Sequence, residues 1–313
     1  MKVVFLDRDS FPSYITFTSS VQSLTMIDYP HTQTEEIAAR IIDADIILVN
    51  KTVLTGDVLS QCKNLKMIQV TATGTNNIDL NYCEENNIIV KNVENYSANS
   101  VPEHTFALLL TLKRSLDAYI SDVKKGVWSD SKHFCFLDHP IRDLAGSTML
   151  IIGNGNIGQN VARIAQAFGI HCLLSERKGS DTIREGRISF EEGIQLADII
   201  TLHCPLSEET RSMIGKQELE KMKSSAILIN VSRGGLIDEE ALVEAVQTKQ
   251  IFGAAMDVAT REPMPNTSTL NQLADYPNFL LTPHVAWASD QAMQTLADIA
   301  MNQIKEYLLQ PSL

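Results

Sequence analysis

The stretch from Thr148 to Glu176, TMLIIGNGNIGQNVARIAQAFGIHCLLSE, constrains this chain more than any other. It opens with an apolar run, Met149 to Ile152, and turns through Gly153, Gly155 and Gly158, spaced G-x-G-x-x-G. Val161, Ala162, Ile164, Ala165 and Phe168 then recur at helical spacing. Gly169 stands where a helix C-terminus favours a left-handed residue. A second apolar run, Cys172 to Leu174, leads to the acid Glu176. Strand, glycine turn, helix, strand and acid is the order of a dinucleotide-binding unit, and each part has a physical task. The first glycine makes the tight turn, the second admits a pyrophosphate, and the third lets helix and strand pack closely. The helix N-terminus presents N–H groups and the positive end of its dipole to phosphates.

Charge and composition exclude other classes. The chain has 313 residues, with 26 Lys and Arg against 38 Asp and Glu, a net charge of −12. A binder of nucleic acid needs clustered cations; the pairs Lys124-Lys125 and Arg177-Lys178 are too small for that. No apolar run reaches the roughly eighteen residues of a membrane helix. The opening MKVVFLDRDS reads as a short strand followed by charge rather than a signal peptide. Five scattered cysteines without C-x-x-C spacing fit a reduced cytoplasmic protein with no disulfide or metal framework.

The first hundred residues read as a smaller α/β unit, with buried strands at 3–6, 46–49, 65–70 and 88–90. Thr32 to Glu35 has capping-box spacing ahead of a helix carrying Ile37, Ala38, Ile41 and Ile42. Strands alternating with helices imply a parallel sheet, whose ligands bind at the carboxyl ends of the strands. Asn50, Lys51, Thr73, Gly74 and Thr75 fall at such ends, and on spacing alone they serve equally as turn residues or as ligand contacts.

The segment 95–102 is expected to cross between domains, with Ser100 capping a helix that holds Pro102 in its first turn and runs from about Glu103 towards Val123. That helix carries His104, which reads as a packed residue rather than a catalyst. After the opening stretch, apolar runs at 199–203, 226–231, 253–258 and 279–282 complete six strands. A last amphipathic helix from about Asp290 to Leu309 follows the final strand. It is expected to return to the N-terminal unit. The reading is therefore α/β with two doubly wound parallel-sheet domains: a substrate domain of 1–98 and 288–313, flavodoxin-like, into which a Rossmann cofactor domain of 99–287 is inserted, with the active site in the cleft.

Three strand ends carry groups that an interior would not choose: Arg233 in Asn230-Val231-Ser232-Arg233-Gly234-Gly235, Glu262 shortly after Asp257, and His284 in Thr282-Pro283-His284. An arginine offers a fork of donors to a carboxylate and a carbonyl oxygen. A histidine exchanges a proton near neutral pH, and a paired carboxylate favours its charged form and fixes its ring. Each alone reads as structural; together, behind a dinucleotide motif, they suit the reduction of a 2-oxo acid.

These same segments resemble the D-isomer-specific 2-hydroxyacid dehydrogenases, over the whole chain and through motifs that are specific in combination. The resemblance implies that Arg233 binds the substrate carboxylate and carbonyl, that His284 is the acid/base, and that Glu262 pairs with it. It implies substrate contacts through Thr73-Gly74-Thr75, with Asn50 and Lys51 nearby. Cofactor contacts are implied at Gly153, Gly155, Asn156, Ile157, Gly158, Glu176, Cys204, Pro205, Thr210, Val231, Ser232, Arg233, Asp257 and His284, with Asp257 facing the nicotinamide amide. A homodimer through the cofactor domain, by the helix after Pro102, is implied as well. Asn50-Lys51, the phrase 72–77, Phe134 to Asp138 and His284 to Ser289 are most similar to the members that interconvert hydroxypyruvate and D-glycerate. Pro102, Asn154 and Ala259-Thr260-Arg261 depart from the commonest pattern, the last beside Glu262. D-lactate, 3-phosphoglycerate and a non-catalytic NAD-sensing role stay open as alternatives. The cofactor expected from Glu176 is NAD, because a carboxylate accepts ribose hydroxyls and repels a 2′-phosphate. Arg177 and Lys178 beside it would soften that repulsion.

Overall fold

The computed structural model describes residues 1–18 and 24–309; residues 310–313, at the end of the expected substrate domain, lie outside them. The chain divides into two compact units, Met1–Ser97 with Ala288–Leu313, and Ala98–Trp287. Both are parallel-sheet α/β structures. No helix among the described residues is long and apolar enough to cross a membrane.

The first unit holds strands β1 (Lys2–Phe5), β2 (Thr25–Asp28), β3 (Ile46–Val49), β4 (Met67–Val70) and β5 (Ile89–Lys91), in the order β2-β1-β3-β4-β5. That is the flavodoxin-like order. Every residue of β3 and β4 is buried, as expected for central strands covered by helices on both faces. β2 has no legible pattern in the sequence because it is a half-exposed edge strand, with only Met26 and Ile27 partly covered. The capping box falls one residue later than its expected place. Gln33 N–H donates to Glu36 Oε2 at 2.9 Å, while the Thr32 hydroxyl donates instead to Leu6 O. The last helix, Asp290–Leu309, buries Met293, Leu296, Ala300 and Ile304. It belongs to this unit: Tyr14 Oη donates to Asp290 Oδ1 at 2.7 Å, and Gln303 Nε2 to Asn92 O at 3.1 Å.

The second unit holds β6 (Thr148–Ile152), β7 (His171–Leu174), β8 (Ile199–Leu202), β9 (Ile227–Asn230), β10 (Gly253–Met256) and β11 (Phe279–Leu281) in the order β11-β10-β9-β8-β6-β7. A single parallel bridge between Ser175 and Ile188 extends the edge beyond β7. The strand order reverses between β6 and β8, so the ends of these strands form the switch-point crevice where such sheets bind ligands. One face is packed with Leu150, Ile200, Leu228, Leu242 and Ala254, and the other with Leu109, Met149, Ile199, Ile229 and Ala255. The helix after residue 99 departs from expectation in two ways. Ser100 is its first residue rather than its cap, and its hydroxyl donates to Ala286 O at 2.6 Å. The helix also breaks after Lys113, because Ser115 is left-handed (φ 49°) and donates its hydroxyl to Pro140 O at 2.6 Å. A second helix, Leu116–Lys124, then begins.

Candidate active site

The three glycines after β6 are required for different reasons. Gly153 has φ 109°, and a Cβ there would stand 2.3 Å from His203 O on the loop after β8. A Cβ on Gly158 would stand 2.1 Å from Gly153 O, so this glycine lets the helix Asn156–Ala167 pack on the turn. Gly155 has an ordinary φ of −77°, and a Cβ on it would meet no protein atom within 4 Å. Neither backbone nor packing demands glycine at 155, which leaves open space beside the turn. The first intrahelical bond runs from Gln159 N to Gly155 O, so the N–H groups of Asn156, Ile157 and Gly158 lie ahead of it at the positive end of the dipole. This cradle fits a dinucleotide pyrophosphate.

Glu176 follows β7 and is 3% exposed. Its carboxylate is already engaged. Arg184 Nε donates to Oε2 at 2.6 Å and Arg184 Nη2 donates to Oε1. Arg177 N–H donates to Oε1 at 2.9 Å, and Arg187 Nε lies 3.9 Å from Oε2. The Arg184 guanidinium holds this carboxyl down at about 2. Lys178, expected beside Glu176, points elsewhere: its ammonium donates to Met213 O at 2.9 Å and pairs with Glu218 at 2.8 Å. Arg184 was not singled out in the sequence because it stands eight residues on, in a loop without pattern.

The loops after β8 and β9 are tied together. Ser232 Oγ donates to Cys204 O at 2.7 Å. Thr210 braces its own turn, donating to Pro205 O at 2.8 Å and accepting from Ser207 N at 2.7 Å. Burial pushes the Cys204 thiol up to about 11, which keeps it protonated and unreactive. Val231 is 6% exposed and packs into the core beside Ile229. The half-buried Arg233 is presented by a turn that Asn230 supports from beneath: Asn230 Nδ2 donates to Arg233 O at 2.8 Å and its Oδ1 accepts from Ser232 N at 3.1 Å. A Cβ on Gly234 would stand 1.9 Å from Ala259 O. The Arg233 turn therefore lies against the loop that carries Glu262.

That loop leads to the histidine. Ala259 N–H donates to Glu262 Oε1 at 3.0 Å, and His284 Nδ1 lies 2.6 Å from Glu262 Oε2. His284 sits in a left-handed conformation, φ 56°. Asp257, 1% exposed, holds the turn around it: Val285 N–H donates to Oδ1 at 2.9 Å, Ala286 N–H to Oδ2 at 2.8 Å, and the Thr282 hydroxyl to Oδ1 at 2.6 Å. The carboxylate expected to face a nicotinamide is thus occupied by donors of its own chain. His104 joins this network, its Nε2 3.0 Å from Thr282 Oγ1 and 3.6 Å from Asp257 Oδ1.

In the first unit, Asn50 does not face outward as expected. It is 4% exposed, and its Nδ2 donates to Thr71 O at 3.1 Å. Asp7 at the end of β1 organises this turn, accepting from the N–H groups of Asn50, Lys51 and Thr52 at 2.8, 2.7 and 2.9 Å. Sequence reasoning passed over Asp7, although an acid directly after a buried strand was the available signal. Lys51 and Thr73 are exposed, and Gly74 and Thr75 partly so. Thr73 is anchored through its hydroxyl to Val93 O at 3.0 Å.

A switch-point crevice, a glycine cradle, a buried acid after the second strand and a carboxylate–histidine pair define a dinucleotide-dependent oxidoreductase. The NAD binding domain of the D-isomer specific 2-hydroxyacid dehydrogenases matches residues 106–286. A Haemophilus influenzae protein assigned to the 2-hydroxyacid dehydrogenases is 44% identical over 311 residues, 99% of each chain. A glycerate dehydrogenase of Methylorubrum extorquens is 42% identical over 98% of this chain and 96% of its own. The structure of an Aquifex aeolicus D-lactate dehydrogenase complexed with NAD and lactic acid has a TM-score of 0.81 at 28% identity, covering 98% of this chain and 95% of the other. The chain belongs to the D-isomer specific 2-hydroxyacid dehydrogenases. It is an NAD-dependent oxidoreductase acting on CH–OH donors.

Proposed function

We propose that the chain reduces hydroxypyruvate to D-glycerate, with glyoxylate as a second substrate. The observation that carries the reaction is the Glu262–His284 pair beside the Arg233 turn. The substrate is supported by the 42% identity to a glycerate dehydrogenase along nearly the whole of both chains.

When bound, NADH supplies the hydride. Arg233 holds the oxo acid by its carboxylate and carbonyl oxygen through charge-assisted bonds. Glu262 takes His284 Nδ1 and so fixes the ring, which leaves Nε2 as the nitrogen that gives the proton to the carbonyl oxygen as it becomes the alcohol. Asp257 sets the turn that presents the ring, and Asn230 sets the turn that presents Arg233. Gly155, Asn156 and Ile157 would hold the pyrophosphate, and Glu176 would accept from the adenine ribose. The protein acts in the cytoplasm as a homodimer, for which the apolar side chains exposed on 116–141 are the support.

The test is the loss of NADH absorbance with a panel of hydroxypyruvate, glyoxylate, pyruvate and 3-phosphohydroxypyruvate. Highest catalytic efficiency with hydroxypyruvate is expected. A preference for pyruvate would favour a D-lactate reading, which the likeness to the Aquifex aeolicus structure supports. No turnover with any of the four would remove the proposal.

A further inference from the structure

We infer that Arg184 sets the cofactor preference of this chain, by neutralising Glu176 and offering its own guanidinium to a 2′-phosphate, so that NADPH is accepted alongside NADH. The inference rests on the reading of Glu176 as the acceptor for the adenine ribose.

Four observations support it. First, the pairing is built in. Ser175 bridges to Ile188, with Glu176 N–H donating to Ile188 O at 2.8 Å and Ile188 N–H to Leu174 O at 3.0 Å. This pins the 184–188 segment alongside the end of β7. Second, the carboxylate's acceptor capacity is taken. Arg184 donates to both oxygens through its side chain and again through its N–H, at 3.4 Å to Oε2, and Arg177 N–H takes Oε1. A carboxylate has about four lone-pair positions, so ribose hydroxyls reach Glu176 only if Arg184 moves aside. Third, charge has been cancelled. A lone carboxylate rejects a 2′-phosphate by like-charge repulsion, whereas here one carboxylate meets the Arg184 guanidinium directly and that of Arg187 at 3.9 Å. Fourth, Arg184 presents an open edge. Its side chain is 55% exposed, against 16% for Arg187, whose Nη1 is also fastened to Ser175 O at 2.9 Å. Nε and Nη2 serve Glu176, so the exposed Nη1 side of the guanidinium is what a phosphate would meet while the pair stays intact.

The test is calorimetric binding of ADP-ribose and of its 2′-phosphorylated form to the unliganded protein, followed by NADH and NADPH. The wild type should bind the two ADP-riboses within about tenfold of each other, since the repulsive charge is cancelled. Arg184→Gln should lose about tenfold or more for the 2′-phosphate form, while ADP-ribose binds as well or more tightly because Glu176 is released. Arg184→Lys keeps the charge and should retain most of the 2′-phosphate binding; melting curves of both variants report folding. Equal loss for both ligands in Arg184→Gln, or no change in either, would make Arg184 a purely structural clamp and overturn the inference. Glu176→Gln examines the underlying reading separately: if ADP-ribose binding is unaffected there, Glu176 is not the ribose acceptor.

Discussion

Glu262 Oε2 lies 2.6 Å from His284 Nδ1, although the residues are 22 apart in sequence. The contact joins the loops that follow β10 and β11, and it commits one ring nitrogen to a carboxylate. Only Nε2 is then available to a substrate oxygen, so the ring works in one orientation.

The first prediction concerns this pair. Replacing His284 with Ala should lower kcat by roughly 10²–10⁴, the usual worth of a positioned acid/base. Glu262→Gln keeps a hydrogen bond but removes the charge, and should lower kcat with little change in the KM for the oxo acid. Steady-state kinetics of both variants test this. Near-normal turnover by the His284 variant would dismiss the mechanism.

Arg233 should behave differently. Arg233→Ala removes a charge-assisted fork worth about 2–3 kcal/mol, so the KM for the oxo acid should rise by ~30–150-fold. The affinity for NADH, measured by fluorescence, should change far less. A loss confined to NADH binding would reassign Arg233 to the cofactor.

The glycines separate stability from binding. Gly158→Ala puts a Cβ 2.1 Å from Gly153 O and should lower stability by about 1–3 kcal/mol, the scale of overpacking. Gly155→Ala meets no protein atom within 4 Å, so the melting temperature should hold while NADH binding weakens. Equal melting losses in the two variants would show that Gly155 has a packing role after all.

Acid should destabilise the protein in a defined window. Desolvation pushes the partly buried His203, whose Nε2 meets Thr201 Oγ1 at 2.9 Å, down to about 4. The unfolded chain therefore binds this proton more readily between about 6.5 and 4. The contribution is complete above about 6.5 and is lost as pH falls towards 4. Glu176, lowered to about 2 by Arg184, adds a second loss that begins within the ordinary carboxylate range and runs down towards 2. His203→Gln should flatten the melting temperature between pH 6.5 and 4; an unchanged slope would place the acid sensitivity elsewhere.

Phe134 is 90% exposed and Leu137 75%, and Ile120, Val123 and Trp128, a little earlier in the chain, are exposed as well. So much apolar surface on one short stretch is where the proposed dimer would form. The expected dimer contact was the single long helix after Pro102. The structure divides that helix, and its first half, Ser100–Lys113, is packed into the unit's own core through Leu108, Leu109 and Leu112. Phe134→Asp with Leu137→Asp should give a monomer by light scattering, with the far-ultraviolet circular dichroism unchanged. A dimer that survives both changes would place the contact elsewhere.

Short-range pattern alone determined much of this protein. Buried strands such as Ile46–Val49 and Ile227–Asn230 are continuous apolar runs because both faces of a parallel sheet are covered. Helix ends follow from single residues, as where Asp238 accepts from the N–H groups of Glu240 and Ala241. The glycine turn carried its dinucleotide reading for the same reason: its geometry is decided within a few residues. Chemistry stood out at strand ends, where Arg233 and His284 break an apolar pattern. Tertiary structure decided what crosses between segments. The edge strand β2 has too little burial to leave a pattern. The Asn50 side chain was turned inward by Thr71 O, while Asp7 gathered the N–H groups of the 50–52 turn. Asp257 closed on the His284 turn, and Arg184 closed on Glu176. A carboxylate in a sequence does not disclose which donor will fill it; that depends on the chain segments that folding lays beside it.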